Sequence, residues 1–177
     1  MSVAERSFAR IDTALKGYLR ILPTGRFTSL FNCAQTSATP QLSEAVQSTL
    51  PEGLFQYLRS MNEKLSAILS LLNRQSLQED FPVTVLVHDI SGAGLRFSAA
   101  REFEPGQAVE MVIALGSQPQ TLAGATGVIL RADELRGETV WAMEFKEMRD
   151  SEREKIIQFV VAQQREQLRE RHLAPTS

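Results

Sequence analysis

The sequence predicts a mainly β fold with added helices. Three observations carry this expectation. Between Val83 and Phe145, short runs rich in β-branched and aromatic residues alternate with turn signals such as Ser91-Gly92 and Glu104-Pro-Gly106. A further run of this kind lies near the N-terminus, at Thr13 to Leu22. The two stretches with a helical period, Leu54 to Leu72 and Ile156 to Leu168, fall outside the β-rich block. Five or six short strands divided by turns build a barrel or a sandwich.

Each element has its own warrant. In Thr13 to Leu22 (TALKGYLRIL) apolar residues mix with Lys16, Gly17 and Arg20, and Pro23 and Gly25 close the run. It reads as the first strand, with a helix as the competing reading. Residues 24 to 51, rich in Ser, Thr, Gln and Pro, read as a connector holding a short helix at Leu42 to Thr49. Leu54, Leu58, Met61, Leu65, Ile68 and Leu72 then recur at steps of 4, 3, 4, 3 and 4, a heptad spacing that no strand can hold. The helix is expected over about 52 to 78, is roughly 40 Å long at the helical rise per residue, and is ended by Phe81-Pro82.

After Pro82, strands are expected at Val83 to Ile90, Gly94 to Phe97, Ala108 to Leu115, Thr121 to Arg131 and Thr139 to Phe145. Gly124 and Gly127 suggest a bend or bulge in the fourth of these. Ser151 with Glu154 reads as a capping box opening a last helix that runs to about Arg171, with Ile156, Ile157, Val160, Val161, Gln164 and Leu168 on one face. Trp141 and Phe145 are expected in the core, and Phe159, Val160 and Val161 at one end of the β domain. The expected organisation is a discontinuous domain, 1–22 and 82–172, interrupted by a helical insertion at 23–81.

Composition narrows the function. The chain has 177 residues, 19 Lys plus Arg against 21 Asp plus Glu, and a net charge of -2. The broad positive field that non-specific nucleic-acid binding relies on is missing, so no nucleic acid is expected and any anion site must be local. Cys33 is the only cysteine, which excludes an internal disulfide framework and a cysteine metal cluster and suits a reducing compartment. The N-terminus is polar and apolar runs are only a few residues long. Neither a signal peptide nor a membrane span is expected, and the localisation expected is cytoplasmic.

Enzyme chemistry finds no constellation. His88 and His172 are the only histidines, so a three-ligand zinc site built from His and Cys is not expected, and nothing supports a carboxylate metal site. Ser91 stands in Ile-Ser-Gly rather than in a nucleophile elbow. Gly92-Ala-Gly94 begins like a dinucleotide fingerprint, but Phe97 replaces the third glycine and the following residues alternate like a strand. Acidic residues on the helices read as solvated faces.

Two local patterns remain: Arg6-Ser-Phe-Ala-Arg10 ahead of the first strand, and Asp89-Ile-Ser91-Gly-Ala-Gly94 at a turn between two strands. The spacing Arg-x-x-x-Arg recurs at Arg149/Arg153 and Arg165/Arg169, where it reads as surface pairs on a helix. The Asp-x-Ser-x-x-Gly pattern occurs once, and by itself also describes a tight turn in which Asp89 and Ser91 bond the local backbone.

Taken in order, together with Gly94-Leu-Arg-Phe97, Val140-Trp-Ala-Met-Glu-Phe145 and the helix carrying Gln163-Gln-Arg165, these patterns resemble the PilZ domain family, a bacterial receptor module for cyclic di-GMP. The resemblance covers about residues 5 to 22 and 82 to 170. It implies a six-stranded antiparallel β-barrel with a C-terminal helix, no catalysis, no cofactor and no metal, and cyclic di-GMP bound by Arg6, Arg10, Asp89, Ser91 and Gly94. The chemistry agrees with those roles. Guanidinium groups meet phosphate oxygens bidentately and stack on purines, which suits Arg6 and Arg10. Asp89 can accept from the N1-H and N2-H edge of guanine, Ser91 can donate or accept beside it, and Gly94 lets the backbone approach closely.

The heptad helix lies in the insertion, outside the resemblance. With Leu58, Leu65 and Leu72 at a positions and Leu54, Met61 and Ile68 at d positions, Leu at a with Ile at d favours tetramers over dimers. A coiled coil joining copies of the chain is expected, against a helix that packs on its own barrel. The function expected is a non-enzymatic cyclic di-GMP receptor, oligomerised through this helix, that relays nucleotide level to a protein partner in motility, attachment or virulence. The alternative is an oligomeric scaffold that binds no nucleotide.

Overall fold

A computed structural model describes residues 9–27, 29–31, 49–116 and 121–173, with the side chains of 66, 69–74 and 172–173 excepted. Arg6, Cys33 and most of the expected helix at Leu42 to Thr49 lie outside the described residues, as do the side chains of Leu72 and His172. In chain order the elements are β1 (Arg10–Ile21), α1 (Glu52–Asp80), β2 (Val83–Ser91), β3 (Gly94–Ala99), β4 (Ala108–Ala114), β5 (Leu122–Leu135), β6 (Glu138–Phe145) and α2 (Asp150–Leu173). Two compact units are present: Met1–Asn32 with Phe81–Ser177, and Cys33–Asp80.

In the first unit all six strands pair antiparallel in the order β1-β2-β3-β6-β5-β4, and β4 returns to β1, so the sheet closes into a barrel. Strand alternation fills the interior. Leu19, Val85, Val87, Ile90, Leu95, Phe97, Val109, Met111, Ile113, Ile129 and Met143 are all buried in one core cluster. Small residues sit among them: Ala125 of β5 pairs with Met111, and Gly17 of β1 pairs with both Ile113 and Val85, so bulky side chains have room inside a narrow barrel. Phe103 meets Phe97 and Trp141 edge-on, each at 5.5 Å between ring centroids. Trp141 and Phe145 belong to this core, as expected.

Several boundaries differ from expectation. β1 starts at Arg10 rather than Thr13: Ile11 is buried while Arg10 and Asp12 are exposed, an alternation concealed by the charged residues. β5 continues to Leu135 and turns into β6 through Arg136 and Gly137, at φ of 53° and 83°. Two consecutive positive φ values match a tight hairpin, a turn signal the sequence reading passed over. The irregularity in β5 lies between Ile129 and Arg131, not at Gly124 or Gly127. Those glycines are close approaches instead: a Cβ at Gly127 would strike the Glu144 carbonyl of β6, and one at Gly124 would strike the Phe31 ring.

α2 begins at Asp150, so Ser151 lies inside the first turn and does not cap it. Ile156 and Val160 enter the core and Phe159 packs against it, whereas Val161 and Leu168 are exposed. The helix is anchored by polar contacts as well. Glu152 Oε2 accepts from the Gly124 amide at 2.7 Å, and Lys155 Nζ bridges Glu152 Oε1 at 2.8 Å and the Leu122 carbonyl at 3.3 Å.

Glu110 of β4 is fully buried and collects the segment that follows β1. Its Oε1 accepts from Ser29 Oγ at 2.7 Å and the Phe31 amide at 2.9 Å, while Oε2 accepts from Arg20 Nε at 2.6 Å and the Leu30 amide at 3.1 Å. A buried carboxylate is tolerable only when satisfied in this way.

In the second unit, α1 holds the expected heptad. Leu54, Leu58, Met61, Leu65 and Ile68 are between 43% and 54% exposed, and Tyr57 is 63% exposed. Among the described residues, no helix is long and apolar enough to cross a membrane.

Candidate functional site

The site is built at the hairpin between β2 and β3. Ile90 pairs with Leu95, and both are fully buried on the inner face, so their neighbours Asp89 and Arg96 lie on the outer face, directly opposite one another. Period-2 alternation alone would put Asp89 inside, in line with Val85 and Val87. A register shift between Val87 and Asp89 reverses the parity and sends Asp89 outward. A second shift, between Asp12 and Leu15 of β1, brings Arg10 opposite Ser91 and Asp12 opposite Asp89.

Two guanidinium groups converge on the Asp89 carboxylate. Arg96 Nε donates to Oδ2 at 2.5 Å, and Arg10 Nη1 lies 3.2 Å from Oδ1. The two contacts are unequal. Arg10 is 42% exposed and its approach lacks the alignment of a hydrogen bond; Arg96 is 25% exposed and makes a short, charge-assisted one. Asp89 is 1% exposed, and its Oδ1 is, among the described residues, the buried side-chain oxygen that receives no hydrogen bond. Buried polar atoms are overwhelmingly paired, so an orphaned acceptor at an ordered turn marks a place where a donor is wanted.

The turn is held from three sides. Ser91 Oγ donates to the Gly94 carbonyl at 3.1 Å and accepts from the Ala93 amide at 3.3 Å. The Phe145 amide of β6 donates to the Ala93 carbonyl at 2.9 Å. Arg153 Nη1 of α2 donates to the Gly92 carbonyl at 3.0 Å. Ser91 is thus committed to the turn itself. Gly94 is a point of close backbone approach: its φ is not positive, and glycine is needed because a Cβ there would run into the Met143 carbonyl of β6.

Of the sequence-predicted residues, Arg10, Asp89, Ser91 and Gly94 are brought together, and Arg6 lies outside the described residues. Two arginines were missed. Arg96 was legible in principle, because a hairpin loop of Gly92-Ala93 sets Asp89 against Arg96. Arg153 was not, since its contact depends on how α2 lies against the barrel. Arg149 and Arg153 lie at the surface, as expected, yet both also reach backbone: Arg149 Nη1 lies 3.5 Å from the Phe31 carbonyl. Among the described residues, no group of His, Cys, Asp and Glu could hold a metal ion.

Comparison with known proteins places this geometry. Among solved structures, the chain is similar to a Xanthomonas campestris pathogenic protein described as a tetrameric PilZ domain self-assembled through a helical bundle. The TM-score is 0.57 at 12% identity, covering 93% of this chain and 92% of that one. It is also similar to the Bacillus subtilis inhibitor of motility (MotI/DgrA), with a TM-score of 0.51 at 12% identity, covering 92% of this chain. This chain matches 52% of the Bacillus protein's length. At such identities the likeness concerns the fold. No curated protein matches the chain. The PilZ domain model matches residues 56–162, more than half of the sequence, and with the six-stranded ring, the Asp89 turn and the terminal helix in place, the chain belongs to the PilZ domain family.

Proposed function

We propose that this chain is a non-enzymatic receptor for cyclic di-GMP, with Asp89, Arg10 and the Ser91-to-Gly94 turn as its binding site. The observation that carries this reading is the buried, hydrogen-bond-free Oδ1 of Asp89 beside an exposed arginine. A carboxylate oxygen in that state suits the N-H edge of a guanine, and Arg10 suits a phosphodiester. Arg6, four residues earlier, supplies a second phosphate or purine contact in this reading. Calorimetric titration with cyclic di-GMP tests it. Saturable heat is expected, and its absence at tens of micromolar ligand removes the receptor role.

The same reading includes self-association. The exposed face of α1 presents Leu54, Leu58, Met61, Leu65 and Ile68 in one stripe, with Leu72 continuing the spacing. A contiguous apolar stripe of this length calls for a partner, and the Leu and Ile positions favour four copies. The helical bundle that joins the Xanthomonas tetramer supports the idea for a chain of similar fold. The output is a protein partner in motility, attachment or virulence, and the receptor works without cofactor, in the cytoplasm.

One observation favours a second reading, an oligomeric scaffold without nucleotide. The PilZ match begins at residue 56 and leaves Arg6 and Arg10 outside it. A scaffold would keep both its molar mass and its melting temperature when cyclic di-GMP is added; a receptor melts higher.

A further inference from the structure

We infer that Arg96 sets the base specificity of this site by holding the Asp89 carboxylate in place, while Arg10 is the exchangeable partner that gives way to ligand. The inference rests on the receptor reading and adds to it a residue outside both sequence patterns.

The argument begins with the inequality of the two arginines. Arg96 projects from the β2–β3 hairpin directly opposite Asp89, and its backbone is fixed by pairing on both sides, to Asp89 in β2 and to Ala142 in β6. Its neighbours Leu95 and Phe97 are fully buried, so the strand cannot shift to withdraw it. The Nε-to-Oδ2 bond at 2.5 Å leaves Oδ1 as the oxygen open to a new donor. Arg10 lies at the first residue of β1, more exposed, and touches Oδ1 without a hydrogen bond. One guanidinium is built in and the other is at a strand end.

Ligand binding then proceeds by exchange. Arg10 leaves Oδ1 for a phosphodiester oxygen, which keeps its charge compensated, and a guanine N-H donor takes its place on Oδ1. Arg96 stays, so Asp89 remains paired and oriented throughout. Adenine presents a lone pair at N1 where guanine presents N1-H, and it has no 2-amino group. A carboxylate locked toward that edge therefore rejects adenine, whereas a carboxylate free to rotate discriminates less. Arg96 is a positioning residue, and its signature is the ratio of affinities for the two bases.

Calorimetry on the full chain with cyclic di-GMP and with cyclic di-AMP reads that ratio. Wild type is expected to prefer cyclic di-GMP strongly. Arg96→Met is expected to weaken cyclic di-GMP binding at least tenfold and to bring the ratio toward one, and Arg96→Lys, which keeps a cation opposite Asp89, to restore part of it. Arg10→Ala is expected to weaken both nucleotides by similar factors and leave the ratio in place. A folded Arg96→Met that keeps the wild-type ratio overturns the inference while the receptor reading stands; a wild type that binds neither nucleotide overturns both. Should Arg96→Met not fold, an Arg96→Lys ratio equal to wild type, with affinity unchanged, overturns it equally.

Discussion

Arg20 of β1 and Glu110 of β4 face one another across the strand pair, with Arg20 Nη2 2.5 Å from Glu110 Oε2 and the arginine carbon 5.7 Å from the centroid of the Phe81 ring. Phe81 directly follows α1, and Ser29 to Phe31, which also bond Glu110, follow β1. The buried Glu110 carboxylate thus holds the segment that follows β1, and Arg20, bonded to it, lies over the ring that follows α1. Glu110→Ala removes the acceptor of Ser29 Oγ and of the Leu30 and Phe31 amides, together with the ion pair to Arg20, and is expected to destabilise the fold by about 3 to 5 kcal/mol. Denaturant unfolding measures this. Arg20→Met/Glu110→Leu is expected to recover only part of the loss, because the amides of Leu30 and Phe31 stay unpaired; full recovery contradicts the account.

At Gly94 the demand is steric. Gly94→Ala drives a methyl into the Met143 carbonyl and is expected to destabilise the β3–β6 pairing by about 3 kcal/mol, the upper end for overpacking, since backbone yields less than a side chain. A thermal melt indistinguishable from wild type would show that the strands separate freely at this point.

In the proposed receptor, nucleotide affinity depends on Arg10 through charge. Loss of a charge-assisted contact is worth roughly 1.5 to 3 kcal/mol, so Arg10→Ala is expected to weaken cyclic di-GMP about tenfold or more. Calorimetry reads it directly, and an unchanged affinity removes Arg10 from the site.

The proposed assembly uses the exposed stripe of α1. Leu65→Asp or Ile68→Asp puts a charge in the seam and is expected to lower the molar mass measured by light scattering. A wild type that is already monomeric ends the coiled-coil proposal.

Much of the barrel was legible because its strands carry strong local signals. Val83 to Ile90 and Thr139 to Phe145 are β-branched or aromatic and bounded by turns, and the structure moves their limits by a single residue at one end each. The start of β1 was obscured by Arg10 and Asp12, whose charges point outward from a strand that buries Ile11. The end of β5 was hidden behind a hairpin turn whose first residue is Arg136 rather than Asn or Asp. Ser151 looked like a cap because capping is read from residue types, while the true start of α2 depends on where the chain leaves β6.

The sequence by itself determined the residue set of the candidate turn and the heptad of α1, since each is written in spacings of a few positions. Only the tertiary structure decided which arginines meet Asp89. The shift between Val87 and Asp89 changes which face a residue occupies, and no periodicity announces it. The approach of Arg10 from β1 and of Arg153 from α2 to the same turn joins residues far apart in the chain. Closing the ring of strands sets those distances, and with them the unequal grip of two guanidinium groups on one buried carboxylate.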